Sequence, residues 1–242
     1  MLLALTCAAG SMDAISFLGL GHVFTAMMTG NTVLLGLALA QGEVWAALRS
    51  ILALIGFCIG AFTGATIVER ESQPTEWPAA VTAALAVETA ALAIFAAVYY
   101  VAGNERSAGV TELLITLSAG AMGIQSAAVR RLGVPGIATT YITGTITSLM
   151  VDLLGWLRSL VSRLSTPVDA KGDSAERAPG IPWDQRVGLL ARVVGLYCLG
   201  ALAGGVLEIQ SSPLAPLLPL AALLLVASNA RIRQRHDQRE DH

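Results

Sequence analysis

The chain has 242 residues, of which 55% are hydrophobic and 13% charged, with a mean hydropathy of +0.66 and a formal net charge of −2. A soluble domain carries roughly 25% charged residues, and here the charges crowd into short islands between long uncharged runs, which is the composition of an integral membrane protein. A near-neutral balance with no basic stripe argues against a nucleic-acid partner, and Cys7, Cys58 and Cys198, all inside apolar runs, do not form a disulfide framework.

A crossing needs about 20 mainly apolar residues. Eight segments meet or approach that length: about 2–20, 23–41, 46–68, 79–101, 111–129, 137–157, 187–206 and 213–230. The first lacks a basic leader and is interrupted by Asp13, so it does not read as a signal peptide. Only Gly21 and His22 separate the first two, so this pair is either a tight hairpin or a broken, re-entrant element, and six to eight crossings are compatible with the pattern. The second segment is unusual in its first half, where FTAMMTGNT places Thr25, Thr29, Asn31 and Thr32 in an otherwise apolar run. Lipid offers these side chains no hydrogen-bond partner, so protein or trapped water must. Further along, Gly56, Gly60 and Gly64, and later Gly200 and Gly204, stand four apart, the spacing that lets helix backbones approach closely. Trp77 and Trp183 lie at segment edges, where indole favours the headgroup layer. The one long hydrophilic stretch, 162–186, separates the sixth and seventh segments.

Three short motifs recur in order. AGSMDAIS (9–16) matches AGAMGIQS (119–126), TAMMTG (25–30) matches TTYITG (139–144), and CIGAFTG (58–64) matches CLGALAG (198–204). The expected architecture is therefore an all-α, polytopic transmembrane bundle of two four-segment repeats: 1–103, then 104–230 with the hydrophilic loop 162–186, followed by a tail, 231–242. Eight crossings with both termini cytoplasmic place Arg49, Arg106, Arg158, Arg163, Lys171, Arg177, Arg186, Arg231, Arg233, Arg235 and Arg239 inside, and Arg70, Arg130 and Arg131 outside. An even number of crossings per repeat makes the repeats parallel rather than inverted.

The motifs AGSMDAISFLGLG and FTAMMTGNTVLLGLAL, together with AVRRLGVPGIATTYITGTITSL (128–149), resemble the YoaK family of small bacterial integral membrane proteins, a domain of unknown function. Asp13, Thr29, Gly30 and Asn31 match the first motif. Gln125, Arg130, Arg131, Gly133, Pro135, Thr139, Thr140, Thr143 and Gly144 match the second, and Ser126 stands where the family often has asparagine. The resemblance covers nearly the whole chain and implies a multi-pass protein of the bacterial inner membrane. It supplies no substrate.

Asp13 and Glu88 fall near the middle of the first and fourth segments. A carboxylate at the bilayer centre is expensive, which makes both candidates for proton coupling, against the plainer reading of helix glue. Arg192, inside the seventh segment, is a candidate partner for either, or a side chain that snorkels to the cytoplasmic face. Substrate-binding candidates are Asp13, Thr25, Thr29, Gly30, Asn31, Gln125, Ser126, Thr139, Thr143 and Gly144, with Thr29–Gly30–Asn31 expected to meet Thr143–Gly144–Thr145 across one shared polar cavity. With only three histidines no metal is expected, and no cofactor either. No H-E-x-x-H, G-x-S-x-G or P-loop lysine is present, so the chain does not read as an enzyme. The leading expectation is a small-solute transporter or permease, proton-coupled through Asp13 or Glu88. A non-transporting membrane scaffold or accessory subunit, or a passive channel, stays open on sequence alone. The expected partners are the lipid bilayer and an unidentified small solute, with a homo-oligomer compatible with either class.

Overall fold

The computed structural model describes residues 1–70, 77–103, 105–132, 142–165 and 183–240. Among them are eight α-helices and one 3-10 turn: α1 (Leu2–Gly19), α2 (Met28–Gln41), α3 (Val44–Val68), α4 (Ala79–Ala102), α5 (Ala108–Arg131), α6 (Ile142–Ser165), α7 (Trp183–Ser211), the turn Ser212–Leu214, and α8 (Leu217–Glu240). The all-helical bundle expected from the sequence is what forms.

Helices α1, α3, α4, α5 and α7 are long and apolar enough to cross a membrane, and α8 contributes a shorter apolar stretch, Leu217–Ala230. Large apolar side chains line the outside, as on α3, where Ile51, Ile55, Ile59 and Phe62 are all exposed. Such a stripe faces lipid rather than water.

Close packing sets the directions of the helices. On α3, β-carbons at Gly56 and Gly60 would collide with backbone at Thr116 and Gly120 of α5, and one at Gly64 would crowd Ile124. The two helices therefore run side by side in the same sense with backbones touching. Gly200 and Gly204 of α7 abut Cys7 and Ser11 of α1 in the same manner, so α1 and α7 also share a direction. Between these pairs the sense reverses. The Gln125 side-chain amide, near the end of α5, donates to the Leu5 carbonyl near the start of α1 (3.2 Å), and Arg106, before α5, donates to the carbonyl of Gly19 at the end of α1 (3.0 Å).

Helix α4 also packs on α5 and α8, α8 on α1, α2 on α3, and α6 on α7. Exchanging α1–α4 with α5–α8 converts each of these pairings into another of them, and α4 against α8 into itself; the α3–α4 contact is the exception, having no α7–α8 counterpart of similar extent. Yet α1 and α5, the first helices of the two halves, point in opposite senses. The parallel relation expected from the charge count does not fit these directions.

The reason lies in the second segment. Helix α2 has only 14 residues, about 21 Å at 1.5 Å per residue, which falls short of the ~30 Å hydrocarbon layer. It also begins inside the bundle. After α1 the chain reverses through Gly21 (φ 85°) and His22 (φ 64°), two successive left-handed residues, and descends until Thr25–Met27 reach the level of Asp13. Helix α2 then climbs back to Gly42, and α3 starts beside it, with Arg49 lying against Gly21. Residues 20–41 thus enter and leave at one end. The segment doubles back within the bundle, and the first half holds three helices long and apolar enough to cross, α1, α3 and α4.

Candidate functional site

Asp13 sits in the middle of α1, 3% exposed. Its Oδ1 accepts the backbone N–H groups of Thr25 (2.9 Å), Ala26 (2.7 Å) and Met27 (3.3 Å), and its Oδ2 accepts the Tyr197 hydroxyl of α7. Both oxygens are therefore engaged. The three amides precede the first turn of α2, whose N-terminus carries no side-chain cap of its own. Asp13 supplies from another helix the acceptor that these amides lack within their own segment.

Asn31 completes the turn. It is fully buried; its Oδ1 accepts the Phe24 N–H (2.9 Å) and its Nδ2 donates to the Phe24 carbonyl (2.6 Å), so both backbone groups of one residue are satisfied by one side chain. The Thr25 hydroxyl lies 3.5 Å from that of Ser16, and the Thr32 hydroxyl donates to the Met28 carbonyl (3.0 Å). Gly30 faces the Phe24 ring, which a β-carbon there would crowd. The polar half of residues 24–40 thus holds an irregular chain reversal at membrane depth, where every unpaired backbone group would cost several kcal/mol.

Among the described residues the expected shared cavity is not seen: α2 packs on α3 and α6 on α7, with no substantial contact between α2 and α6. Thr29, Thr143 and Gly144 are exposed, and nothing lies within 4 Å of a β-carbon placed on Gly144. Thr145 is buried and engaged, as Asn31 is at the corresponding place. Thr139, with Gly133, Pro135 and Thr140, lies outside the described residues. Gln125 is fully buried at the α1–α5 contact, and Ser126, half-buried, is engaged beside it.

Glu88 is a second carboxyl buried at mid-bundle, and its setting is the opposite of Asp13's. It is completely buried on α4, and neither carboxyl oxygen has a hydrogen-bond partner. Arg192, a candidate partner for either carboxyl or a side chain that snorkels, is exposed and, among the described residues, forms no ion pair with Glu88 or Asp13. The α4 face that carries Glu88 continues through Leu92 and Phe95 to Tyr99, all buried.

Tyr99 belongs to a cluster that the sequence reading passes over. Its hydroxyl donates to Glu208 Oε1 of α7 (2.5 Å), which also accepts from Ser212 Oγ (2.7 Å). The Arg106 guanidinium lies 3.5 Å above the Tyr99 ring and donates through Nη1 to Gly19. Gly19 leaves room for this, because a β-carbon there would collide with the Tyr99 hydroxyl and crowd the Glu208 carboxylate. Glu208 and Ser212, four residues apart at the end of a span, were the only signal in the sequence, and a carboxylate at a helix end reads as solvated. Tyr197 was equally hidden, since a lone tyrosine in an apolar span reads as packing.

Residues 1–229 match the family described as "Protein of unknown function (DUF1275)". The chain belongs to that family. It is also 45% identical over 157 residues to the "UPF0700 transmembrane protein YoaK" of Bacillus subtilis (strain 168), an alignment covering 64% of this chain and 68% of that one. No solved structure matches. The resemblance read from AGSMDAIS and FTAMMTGN is upheld, and this DUF1275 member is a multi-pass membrane protein.

Proposed function

We propose that this protein is a proton-coupled permease for a small solute, built from two inverted repeats, with Glu88 as the group that carries the proton. One observation carries the reading: a fully buried carboxyl without a partner, on the helix that meets its own counterpart, α8, across the repeat interface. An intramembrane carboxyl used only for cohesion finds a donor, as Asp13 does. One left unpaired costs stability, and its retention points to work done elsewhere in a cycle. The symmetric pairing of helices, their opposed directions and a helix that begins inside the bundle all belong to the pattern of alternating-access transporters. Asp13 moves out of the mechanism and becomes an anchor.

The orientation that goes with this reading puts Met1 and the end of α8 in the cytoplasm. With α2 re-entrant, Arg70, Arg130, Arg131 and Arg186 share that end with the arginines of the last turns of α8, and the opposite end keeps only Arg49 and Arg106. That is a stronger basic bias than eight crossings allow.

The scaffold reading has one observation of its own: the glycine-lined contacts α1–α7 and α3–α5 are closed backbone to backbone. The two readings part on Glu88. In proteoliposomes loaded with a pH-reporting dye, the permease reading expects solute-dependent proton entry from a panel of amino acids, sugars and carboxylates, abolished by Glu88→Gln. If no solute moves protons in the parent protein, the scaffold reading takes its place.

A further inference from the structure

At the end of the bundle opposite Met1, two charged side chains are each half used. Arg106 donates through Nη1 to Gly19 and lies on the Tyr99 ring, while its Nε and Nη2, both buried, have no partner. Glu208 takes two hydrogen bonds on Oε1, from Tyr99 and Ser212, while its buried Oε2 has none. Tyr99 joins the two, with its ring face under the guanidinium and its hydroxyl on the carboxylate. Among the described residues the only ion pair is Arg186–Asp152, so Arg106 and Glu208 are not in direct contact.

Orphaned buried polar groups destabilise a fold, and charged ones most. A bundle selected for stability alone would bring these two together. What is left open is specific in kind. The Nε–Nη2 edge of arginine is a planar pair of donors that fits a carboxylate with two parallel bonds. A free carboxylate oxygen beside a phenol accepts from an ammonium group. The two sites have opposite charge and belong to one hydrogen-bonded cluster, so a ligand carrying both charges would satisfy both and bring no net charge into the membrane. A simple anion or cation would satisfy one and leave the other stranded.

We propose that Arg106, Tyr99 and Glu208 form a binding site for a zwitterionic solute of the α-amino-acid class, its carboxylate on the Arg106 edge and its ammonium on Glu208 Oε2. The proposal rests on the permease reading for its purpose, and names the solute. On the same face of α4, Glu88 stands about three turns, ~16 Å, from Tyr99, so the solute site and the proton site are stacked along one helix.

Binding can be tested without transport. The full-length protein in lipid nanodiscs is unfolded thermally in the presence of glycine, alanine, leucine, glutamate or lysine, with sodium acetate and methylammonium chloride as single-charge probes. At least one amino acid should raise the midpoint by several degrees in a saturable way, and neither single-charge probe should do so at equal concentration. Arg106→Gln and Glu208→Gln should each weaken that binding about tenfold or more, the equivalent of about 1.4 kcal/mol. Should Arg106→Gln fold poorly, Arg106→Lys keeps the charge but removes the planar edge and should show the same loss. The proposal is overturned if no amino acid on the panel shifts the parent, if acetate alone shifts it equally, or if the shift survives unchanged in the Arg106 and Glu208 variants. Loss of this site with solute-dependent proton entry intact would remove the amino-acid assignment and leave the permease standing; amino-acid binding without any proton entry would do the reverse.

Discussion

Two carboxyl groups buried at mid-bundle behave in opposite ways, and substitution should separate them. Asp13 accepts three backbone N–H groups and a phenol. Asp13→Ala strands all four donors and should lower stability by about 3 kcal/mol or more, while Tyr197→Phe, which leaves the amide bonds to Oδ1 intact, should lower it by about 1–2 kcal/mol. Glu88 has no bonds to lose. Glu88→Leu should therefore raise the unfolding midpoint while abolishing proton entry, the signature of a group kept for activity at the expense of stability. A Glu88→Leu variant that loses stability would show that Glu88 has partners in the membrane-embedded protein and would undercut its assignment as the proton carrier. Thermal unfolding in nanodiscs reads all three substitutions on one scale.

Glycine is plentiful in this chain, and the helix contacts decide which copies matter. A methyl at Gly60 would drive into the Gly120 carbonyl, and backbone cannot yield as a side-chain tip can. At Gly144 a methyl meets nothing within 4 Å. Gly60→Ala should thus disrupt the α3–α5 contact and reduce the yield of folded protein. Gly144→Ala should be neutral or gain up to ~1 kcal/mol from helix propensity. Gly60 and Gly144 each lie in one of the recurring motifs, CIGAFTG and TTYITG, and their neighbours differ. Differential scanning of the two purified variants against the parent checks the contrast; equal destabilisation would mean that Gly144 faces protein rather than lipid.

The architecture of the whole molecule turns on the re-entrant second segment. Six crossings with the termini inside place Glu43, between α2 and α3, outside the cell and Glu69, after α3, in the cytoplasm. Eight crossings place them the other way round. Both residues are exposed. In a background without Cys7, Cys58 and Cys198, Glu43→Cys should react with a membrane-impermeant maleimide on intact cells, and Glu69→Cys only after permeabilisation. The reverse pattern would restore the eight-crossing topology and the parallel repeats.

Membrane class, helical architecture and family were all legible in the residues themselves, because each rests on a property the chain carries locally: apolar length, charge confined to islands, glycines four apart, and the motifs AGSMDAIS and FTAMMTGN. That Asp13, Asn31 and Glu88 demand an account was legible too, since a polar group in a greasy span must be accounted for wherever it lies. Their roles were not. Whether a buried carboxyl is satisfied depends on residues far along the chain, Tyr197 for Asp13 and none for Glu88. The Arg106–Tyr99–Glu208 cluster joins three places that have no relation in sequence, and it exists only because α1, α4 and α7 end at the same level. Direction was hidden for the same reason. Hydropathy measures how apolar a segment is, but α2 turns back at mid-depth because Asp13 and Asn31 satisfy its backbone there, and only the tertiary structure brings those groups together.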